Sequence, residues 1–230
     1  MSQLKSKRQL ITLSNPKSPI SEAYRSLRTN IDFSSIDEKL QVIMVSSAGP
    51  GEGKSTTITN LAITFAQSER KVILIDADLR KPTAHHTFSI SNRHGLSTVL
   101  SQQCTLDDAI QNTNVPGMDV MTSGFIPPNP AEMLNSKRMT ALIQELREKY
   151  DVVLIDTPPL LAVTDAQIVA TKSDGAILVV DQGRVKREIA KKAVHNLQTV
   201  NARILGVVLN NVKRRAKEEA YYYYYGAPEK

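Results

Sequence analysis

A glycine-rich stretch that ends in a lysine and two hydroxyl residues carries the clearest chemistry in this sequence, Ala48-Gly-Pro-Gly-Glu-Gly-Lys-Ser-Thr56. It follows the apolar run Val42–Val45 and opens a segment of helical character, Ser55–Gln67. This order predicts a phosphate-binding loop, because glycines let backbone N–H groups turn toward phosphate oxygens. We therefore expect the chain to bind a nucleoside triphosphate, although Ala48 replaces the usual first glycine.

The other residues of the loop have physical roles toward a triphosphate. Lys54 is expected to reach the β- and γ-phosphates, and the Ser55 hydroxyl is expected to bind Mg²⁺. The helix that begins there adds its N-terminal dipole and free N–H groups. The alternative is a glycine-rich turn before a helix, without a ligand. The predicted nucleotide-binding residues are Gly49, Gly51, Glu52, Gly53, Lys54, Ser55 and Thr56.

Three aspartates follow two further apolar runs. Asp76 and Asp78 follow Val72–Ile75, and Asp156 follows Val152–Ile155. In a parallel sheet these ends meet at one edge, beside the phosphate-binding loop. Phosphoryl transfer uses carboxylates there, to hold Mg²⁺ and to orient or deprotonate the attacking oxygen. Without the loop, turn or helix-cap aspartates would be an equally good interpretation.

The elements that must position these residues alternate along the chain. Near-continuous Val/Ile/Leu runs are typical of parallel strands covered on both faces. We expect strands at Val42–Val45, Val72–Ile75, Met118–Met121, Val152–Ile155, Ala176–Val180 and Ile204–Leu209. Helical stretches are expected at Thr56–Gln67, Ser136–Lys149, Asp165–Thr171 and Lys186–Val200. The pattern predicts a doubly wound α/β fold with a mostly parallel sheet.

The ends of the chain differ from this central part. Residues 19–36 have the apolar spacing of one helix face, so we expect a helix packed on the domain or on a partner. The polar segment after the last strand is expected to be mobile. The predicted organisation is an N-terminal segment at 1–17, a domain at 18–212 that includes the helix, and a tyrosine-rich tail at 213–230.

Composition narrows the class of protein. A chain of 230 residues suits one large α/β domain. Its net charge of +6 suits an anionic membrane surface or nucleic acid, but no zinc finger or RNP box occurs, so nucleic acid is not expected. The single cysteine, Cys104, fits a reducing cytoplasm. No apolar run approaches the ~20 residues of a membrane span, so neither secretion nor membrane integration is expected.

Several segments of the sequence together resemble the motifs of one known family. Ala48–Thr56, Ile73–Arg80 and Val152–Pro159 are similar to the Walker A, Walker A′ and Walker B motifs of bacterial tyrosine kinases. Ser123–Leu134 resembles that family's SG-x-x-PPNP-x-EL stretch. The resemblance runs from about Ser18 to Tyr225, nearly the whole chain. It implies a P-loop NTPase fold of the deviant Walker type and an ATP-dependent protein-tyrosine autokinase that uses Mg²⁺.

The resemblance also assigns roles to residues by position. Lys54, Asp76 and Asp78 become the catalytic residues, with Asp76 as the base for the tyrosine hydroxyl. Ser55, Asp78 and Asp156 become the magnesium ligands. Glu22, Arg25 and Arg28 match the E-x-x-R-x-x-R motif of a subunit interface; the alternative is a solvated charge pattern. The implied phosphoacceptors are Tyr221, Tyr222, Tyr223, Tyr224 and Tyr225. A sticky or partner-docking aromatic tail is the alternative.

The same resemblance implies partners and a cellular role. Members of the family usually act in exopolysaccharide or capsule synthesis. In the Gram-positive type the kinase is a separate cytoplasmic chain, recruited to the inner face of the membrane by a membrane-embedded activator whose tail docks on it. This sequence is expected to be of that type. Other implied partners are further copies in a ring, suggested to be an octamer, a tyrosine phosphatase and other protein substrates.

Two other functions use the same loop. A partition or division-site-positioning ATPase usually carries a signature lysine where this chain has Gly49, and lacks a tyrosine run. A regulatory adaptor would use the nucleotide only as a switch. The presence of Lys54 with Asp76, Asp78 and Asp156 argues against the adaptor.

Overall fold

A computed structural model of the protein describes residues 10–34 and 40–213. Within these residues the chain forms one sheet with helices on both faces. The strands are β1 (Val42–Ser47), β2 (Val72–Asp76), β3 (Ile110–Asn112), β4 (Met118–Met121), β5 (Val152–Asp156), β6 (Gly175–Asp181) and β7 (Ile204–Asn210). The helices are α1 (Ile11–Ser14), α2 (Pro19–Phe33), α3 (Lys54–Ala66), α4 (Ala84–Phe88), α5 (Leu96–Leu100), α6 (Leu106–Ala109), α7 (Pro130–Asn135), α8 (Lys137–Lys149), α9 (Asp165–Ala170) and α10 (Arg187–Thr199).

The strand order within this part of the chain is β3-β4-β2-β5-β1-β6-β7. β3 pairs antiparallel with β4, and the other neighbours are parallel. The expected doubly wound, mostly parallel sheet is confirmed. Since the strands point the same way, the residues that follow β1, β2, β4 and β5 lie at one edge of the sheet.

Burial explains why the central strands are apolar without alternation. Every residue of β1, β2, β5 and β6 is buried. One set of their side chains packs with α8, α9 and α10, and the opposite set packs with α2 and α3. β7 lies at the edge of the sheet and is only partly covered.

Local chemistry sets where the main helices begin. Ser18 caps α2 by accepting a hydrogen bond from the Ser21 N–H, and Pro19 occupies the first turn. Ser136 caps α8 in the same way, with Met139 as donor. α3 begins differently, because the residue before it is Gly53 in a left-handed conformation without a capping side chain. The first N–H groups of α3 are therefore free of a side-chain cap.

The structure differs from the sequence expectations outside the main strands. The helix expected over 19–36 ends at Phe33, where Ser34 N–H bonds back to Asn30 and Ile31 carbonyls. The short helix α1 was not expected, and its buried Thr12 hydrogen bonds to Asn60 Oδ1 of α3 at 2.9 Å. Neither β3 nor the short helices α4–α7 were predicted. The tyrosines predicted as phosphoacceptors, Tyr221–Tyr225, lie outside the described residues.

Candidate functional site

The phosphate-binding loop connects β1 to α3 and depends on glycine at two positions. Gly51 and Gly53 have φ of 78° and 91°, which L side chains rarely adopt. A Cβ on Gly53 would also collide with the Asn210 side-chain amide, which donates to the Glu52 carbonyl at 2.9 Å. The loop is therefore held from the side by the end of β7. It opens onto the N-terminus of a helix of 13 residues, which favours an anion there.

Lys54 lies at the centre of the site and contacts three of the predicted residues. Its Nζ is 3.1 Å from Asp78 Oδ2, 3.2 Å from Asp156 Oδ1 and 3.2 Å from Ser55 Oγ. Burial lowers the pKa of Lys54, but the charges of Asp156 and Asp78 outweigh it and the pKa is raised. The lysine is therefore a firmly charged ammonium that neutralises two buried carboxylates.

The same contacts test whether a magnesium ion suits these residues. Oxygens of Ser55, Asp78 and Asp156 converge on one ammonium nitrogen, so they can face one cation. Hydroxyl and carboxylate oxygens are the donors that Mg²⁺ prefers. No cluster of three or more His, Cys, Asp or Glu side chains that could hold a metal occurs in the described ranges. A magnesium ion here would thus take further ligands from nucleotide phosphates and water.

Asp76 is held differently from the other two aspartates. It is completely buried, and its carboxylate accepts from the N–H groups of Asp78, Thr83 and Ala84 at 3.2, 2.7 and 2.8 Å. Burial, and then the charge of Asp156, raise the pKa of Asp76 to about 7, although the hydrogen bonds from Ala84 and Thr83 and the charge of Lys54 oppose the change. Asp76 therefore shapes the loop that presents Asp78, besides any role toward a substrate.

Glu52 contributes a side chain of the wrong charge for a phosphate site. Its Oε1 accepts from Gly49 N–H, and its buried Oε2 has no hydrogen-bond partner. The pKa of Glu52 is raised, because the effect of burial exceeds the opposing effect of hydrogen bonds from the Gly49 and Asp181 N–H groups. The carboxylate thus braces the loop from within the protein. Any contact of Glu52 with phosphate would have to use its backbone N–H.

Sequence reasoning missed a bridge between the two aspartate loops. Arg80 donates from Nε and Nη2 to the two oxygens of Asp165, at 2.9 and 3.0 Å. Asp165 is completely buried at the start of α9, four residues after Leu161. This bidentate pair joins the segment that follows β2 to the helix that follows β5. The partners are 85 residues apart, so sequence spacing contained no signal for the pairing.

The three residues of the proposed interface motif do not behave alike. Arg25 pairs with Glu22 on the exposed side of α2, at 2.7 Å. Arg28 instead donates to the Thr64 carbonyl of α3 at 2.9 Å, within the same subunit. Glu22 and Arg25 are thus available on the surface, whereas Arg28 also fastens α2 to the domain.

None of the helices in residues 10–34 and 40–213 is both long enough and apolar enough to cross a bilayer.

Comparison with known proteins places the chain among characterised relatives. A family model described as an AAA domain matches residues 40–210. The chain is 50% identical over 206 residues to the tyrosine-protein kinase YwqD of Bacillus subtilis (strain 168), which covers 90% of this chain and 87% of that protein. It is 39% identical over 197 residues to a putative tyrosine-protein kinase, CapB, of Staphylococcus aureus, with 86% of each chain covered. The crystal structure of the chimerical protein CapA2B2 matches with a TM-score of 0.87 at 41% identity, covering 89% of this chain and 90% of that one.

Proposed function

This chain belongs to the bacterial tyrosine-protein kinases, and from that premise we propose that it phosphorylates the tyrosine run of a neighbouring copy, Tyr221, Tyr222, Tyr223, Tyr224 and Tyr225. The observation that carries the proposal is the contact of Lys54 with both Asp78 and Asp156 at the N-terminus of α3. A lysine, two carboxylates and a helix N-terminus are the parts that phosphoryl transfer from ATP uses. Every copy carries these tyrosines, so a neighbouring copy can supply the acceptor.

The residues divide the work of the reaction as follows. Lys54 and the N–H groups of the loop from Gly49 to Thr56 bind and orient the phosphates. Ser55, Asp78 and Asp156 would hold Mg²⁺, which would neutralise charge on the transferred phosphoryl group. The tyrosine oxygen forms a bond to the γ-phosphorus while the bond to the bridging oxygen breaks, and ADP leaves. The tyrosine proton passes to Asp76.

The base role is proposed for Asp76 from its position in the site. A free tyrosine has a pKa of about 10, so few are ionised at neutral pH and a base within hydrogen-bond reach is useful. Oδ1 of Asp76 accepts one loop N–H group and keeps a lone pair for a tyrosine proton, whereas Oδ2 already accepts two N–H groups. Electrostatic stabilisation by Lys54 and the metal still supplies most of the rate, because the transition state is loose.

We propose that the kinase works in an assembly. Glu22, Arg25 and Arg28 on α2 would meet a neighbouring copy in a ring, for which the family suggests an octamer. Phosphorylation of five tyrosines adds roughly −7.5 to −10 charges, at about −1.5 to −2 each. That exceeds the formal charge of +6 and would drive subunits apart. Equal oligomeric mass for the phosphorylated form and a variant with all five tyrosines changed to Phe would contradict this mechanism.

The cellular setting is part of the same proposal. A membrane-embedded activator would dock its cytoplasmic tail on the kinase and hold it at the inner face of the cell membrane. A tyrosine phosphatase would reverse the modification, and other proteins would serve as further substrates. We propose regulation of exopolysaccharide or capsule synthesis. A relative named as a putative tyrosine-protein kinase in the cps region of Klebsiella pneumoniae, 38% identical over 210 residues, supports this role.

One labelling experiment tests the activity. The full chain is incubated with γ-labelled ATP, Mg²⁺ and the cytoplasmic segment of the activator, beside the variant Lys54→Met. Label on tyrosine that disappears in the variant supports the autokinase. Free phosphate without labelled protein would favour a positioning ATPase. Absence of both products would favour a nucleotide-regulated adaptor.

A further inference from the structure

An exposed apolar pair lies at the same sheet edge as the aspartates. β4 pairs with β2, and Met121 is opposite Ile75, so the residues after Met121 leave the sheet beside Asp76. The loop that follows presents Phe125 and Ile126, whose exposed fractions are 62% and 65%. This loop is the SG-x-x-PPNP stretch, to which the proposed reaction gives no role.

The exposed pair is held on a well-bonded support. The carbonyl oxygens of Thr122 and Ser123 accept from Leu96 and Ser97 N–H groups, each at 2.8 Å. Asn92 bonds to Gly124 through both ends of its amide, donating to the carbonyl at 2.8 Å and accepting from the N–H at 3.1 Å. The base of the loop is thus fixed by one neighbouring segment, residues 92–97. Exposure of Phe125 and Ile126 is therefore a property of an ordered surface, which suits preorganised binding.

A groove begins at Pro127 and Pro128, the two residues that follow the pair in the chain. Its volume is about 630 Å³, and Pro127, Pro128 and Met133 line it together with Lys137, Arg138 and Glu132. Apolar surface with an excess of one positive charge at the margin suits an aromatic segment that carries acidic residues. Glu218 and Glu219 stand close before the tyrosine run, so residues 218–225 combine acidic and aromatic side chains.

The distance between the exposed loop and the phosphate-binding loop also matches the length of the tyrosine run. β4 is three strand positions from β1, so the exposed loop and the phosphate-binding loop start ~14 Å apart. Tyr221 and Tyr225 are four residues apart, which is also ~14 Å in an extended chain. One tyrosine can therefore reach the phosphate donor while another ring of the same run lies at Phe125.

We propose that Phe125 and Ile126 form the docking site for the Tyr221–Tyr225 run of a second copy, with one ring packed on this pair while another accepts phosphate. The proposal rests on the proposed function, in which these tyrosines are the acceptors. Aromatic pairs gain attraction beyond their buried area, and this requires the ring but not the hydroxyl. The tyrosines that are not reacting then act as anchors for the one that is.

Two peptides test the anchor directly. Both span residues 214–230 and keep Tyr223; the other four tyrosines are Phe in one peptide and Ser in the other. The enzyme is the full chain with its own five tyrosines changed to Ser, so that its tail neither reacts nor competes. It is compared with the same chain carrying Phe125→Ser and Ile126→Ser. The control carries Val207→Ser and Leu209→Ser, which remove comparably exposed apolar side chains from β7.

The expected result is a difference in KM at constant kcat. With the parent and control enzymes the Phe peptide should have a KM about tenfold below that of the Ser peptide. With the Phe125/Ile126 variant the ratio should fall to about one. A ratio that persists in this variant, or a loss confined to kcat, would overturn the proposal. The proposal would also be overturned if the Phe125/Ile126 variant kept the KM ratio but was no longer stimulated by the activator segment. The surface would then bind the activator.

A binding measurement separates the docking surface from the acceptor role. Fluorescence anisotropy of a labelled peptide with all five tyrosines changed to Phe needs no phosphorylation. Its Kd should rise about tenfold in the Phe125/Ile126 variant and stay unchanged in the β7 control. If the Kd changes in this way but no enzyme phosphorylates Tyr223 in either peptide, the docking site is supported. The assignment of the tyrosines as phosphoacceptors is then wrong. If Kd is the same for all three enzymes, the docking site itself is wrong.

Discussion

Lys54 Nζ lies 3.1 Å from Asp78 Oδ2 and so joins the first residue of α3 to the segment that follows β2. The pair is largely buried, with exposed side-chain fractions of 12% and 8%. Asp156 contacts the same nitrogen, so the Lys54 ammonium lies between two carboxylates. The charge balance of the site therefore depends on one lysine, and the first prediction concerns its removal.

Lys54→Met should abolish tyrosine labelling and also lower stability by about 2–4 kcal/mol, because two buried carboxylates lose their common cation. Millimolar Mg²⁺ should then raise the melting temperature of the variant more than that of the parent chain, since a divalent cation can replace the lost charge. Differential scanning fluorimetry with and without Mg²⁺ measures both effects. Equal responses of the two proteins would contradict the shared-cation arrangement.

Asp76 should have separable structural and chemical roles. Asp76→Asn keeps an oxygen for the loop N–H groups but is no base, so kcat should fall by ~100-fold or more with a modest loss of stability. Asp76→Ala leaves three buried N–H donors without their acceptor and should cost about 2–4 kcal/mol besides. Steady-state kinetics and urea unfolding of both variants check the split. A fully active Asn variant would remove Asp76 from the chemistry.

Arg80 and Asp165 should be energetically coupled, although neither is one of the predicted site residues. Arg80→Ala leaves the completely buried Asp165 without its ion-pair partner, and Asp165→Ala removes the acceptor instead. The double variant should be less destabilised than the sum of the single ones, by about 1–3 kcal/mol. Arg80→Lys should recover only part of the loss, because an ammonium cannot bond both oxygens in the same fork geometry. Strict additivity would show that the pair contributes nothing specific.

The arginines of α2 should differ when changed one at a time. Arg25→Ala removes an exposed pair with Glu22 and should leave stability within about 0.5 kcal/mol while weakening the assembly. Arg28→Ala loses the bond to the Thr64 carbonyl and should cost about 1 kcal/mol as well. Light scattering should find monomers for the double variant. An intact assembly would remove these residues from the interface.

Asp174 offers a test of pH dependence away from the site. Burial raises its pKa, but Arg147, at 2.8 Å, and the N–H groups of Gln41 and Val42 outweigh this and lower it. A carboxyl whose pKa is lowered by folding stabilises the protein above its unfolded value of ~3.9, and the stabilisation disappears as pH falls through the folded value. Asp174→Asn should therefore cost about 1–2 kcal/mol at pH 7 and progressively less below pH 4.

The control for this effect is an ion pair with more exposure. Asp32 pairs with Arg70 at 2.8 Å, and both side chains are more than a third exposed. Asp32→Asn should change the free energy of unfolding by less than ~1 kcal/mol at either pH. A cost at Asp174 that is the same at pH 7 and pH 3 would contradict the charge-based explanation.

Prediction from sequence worked best where one rule acts over a long run. The central strands were found because burial on both faces demands continuous apolar residues. β3 was missed because Ile110–Asn112 is short and mostly polar, and pairs at an edge where no core selects its residues. The short helices between β2 and β5 escaped for a similar reason, since four to six residues do not establish a period.

Some residues of the candidate site were likewise predicted from a rule, and others were missed. Lys54, Asp78 and Asp156 could be named because motif order places strand ends at one edge. The structure places an oxygen of each aspartate within 3.2 Å of Lys54 Nζ. The bond from Asn210 to the phosphate-binding loop was missed, because the partners are 158 residues apart. The Arg80–Asp165 bridge depends on how β2 and β5 pair, which no local pattern encodes.

The bond from Asn210 to Glu52 has a practical consequence. It anchors the donor loop to the last residue of the sheet, 158 positions further along the chain, and the Asn210 carbonyl in turn accepts from Gln182 N–H. A shortened chain that lacks the proposed acceptor tyrosines must keep Asn210. Truncation before Asn210 would remove the hydrogen bond that holds one side of the phosphate-binding loop. The resulting loss of activity would then be mistaken for a requirement for the tail.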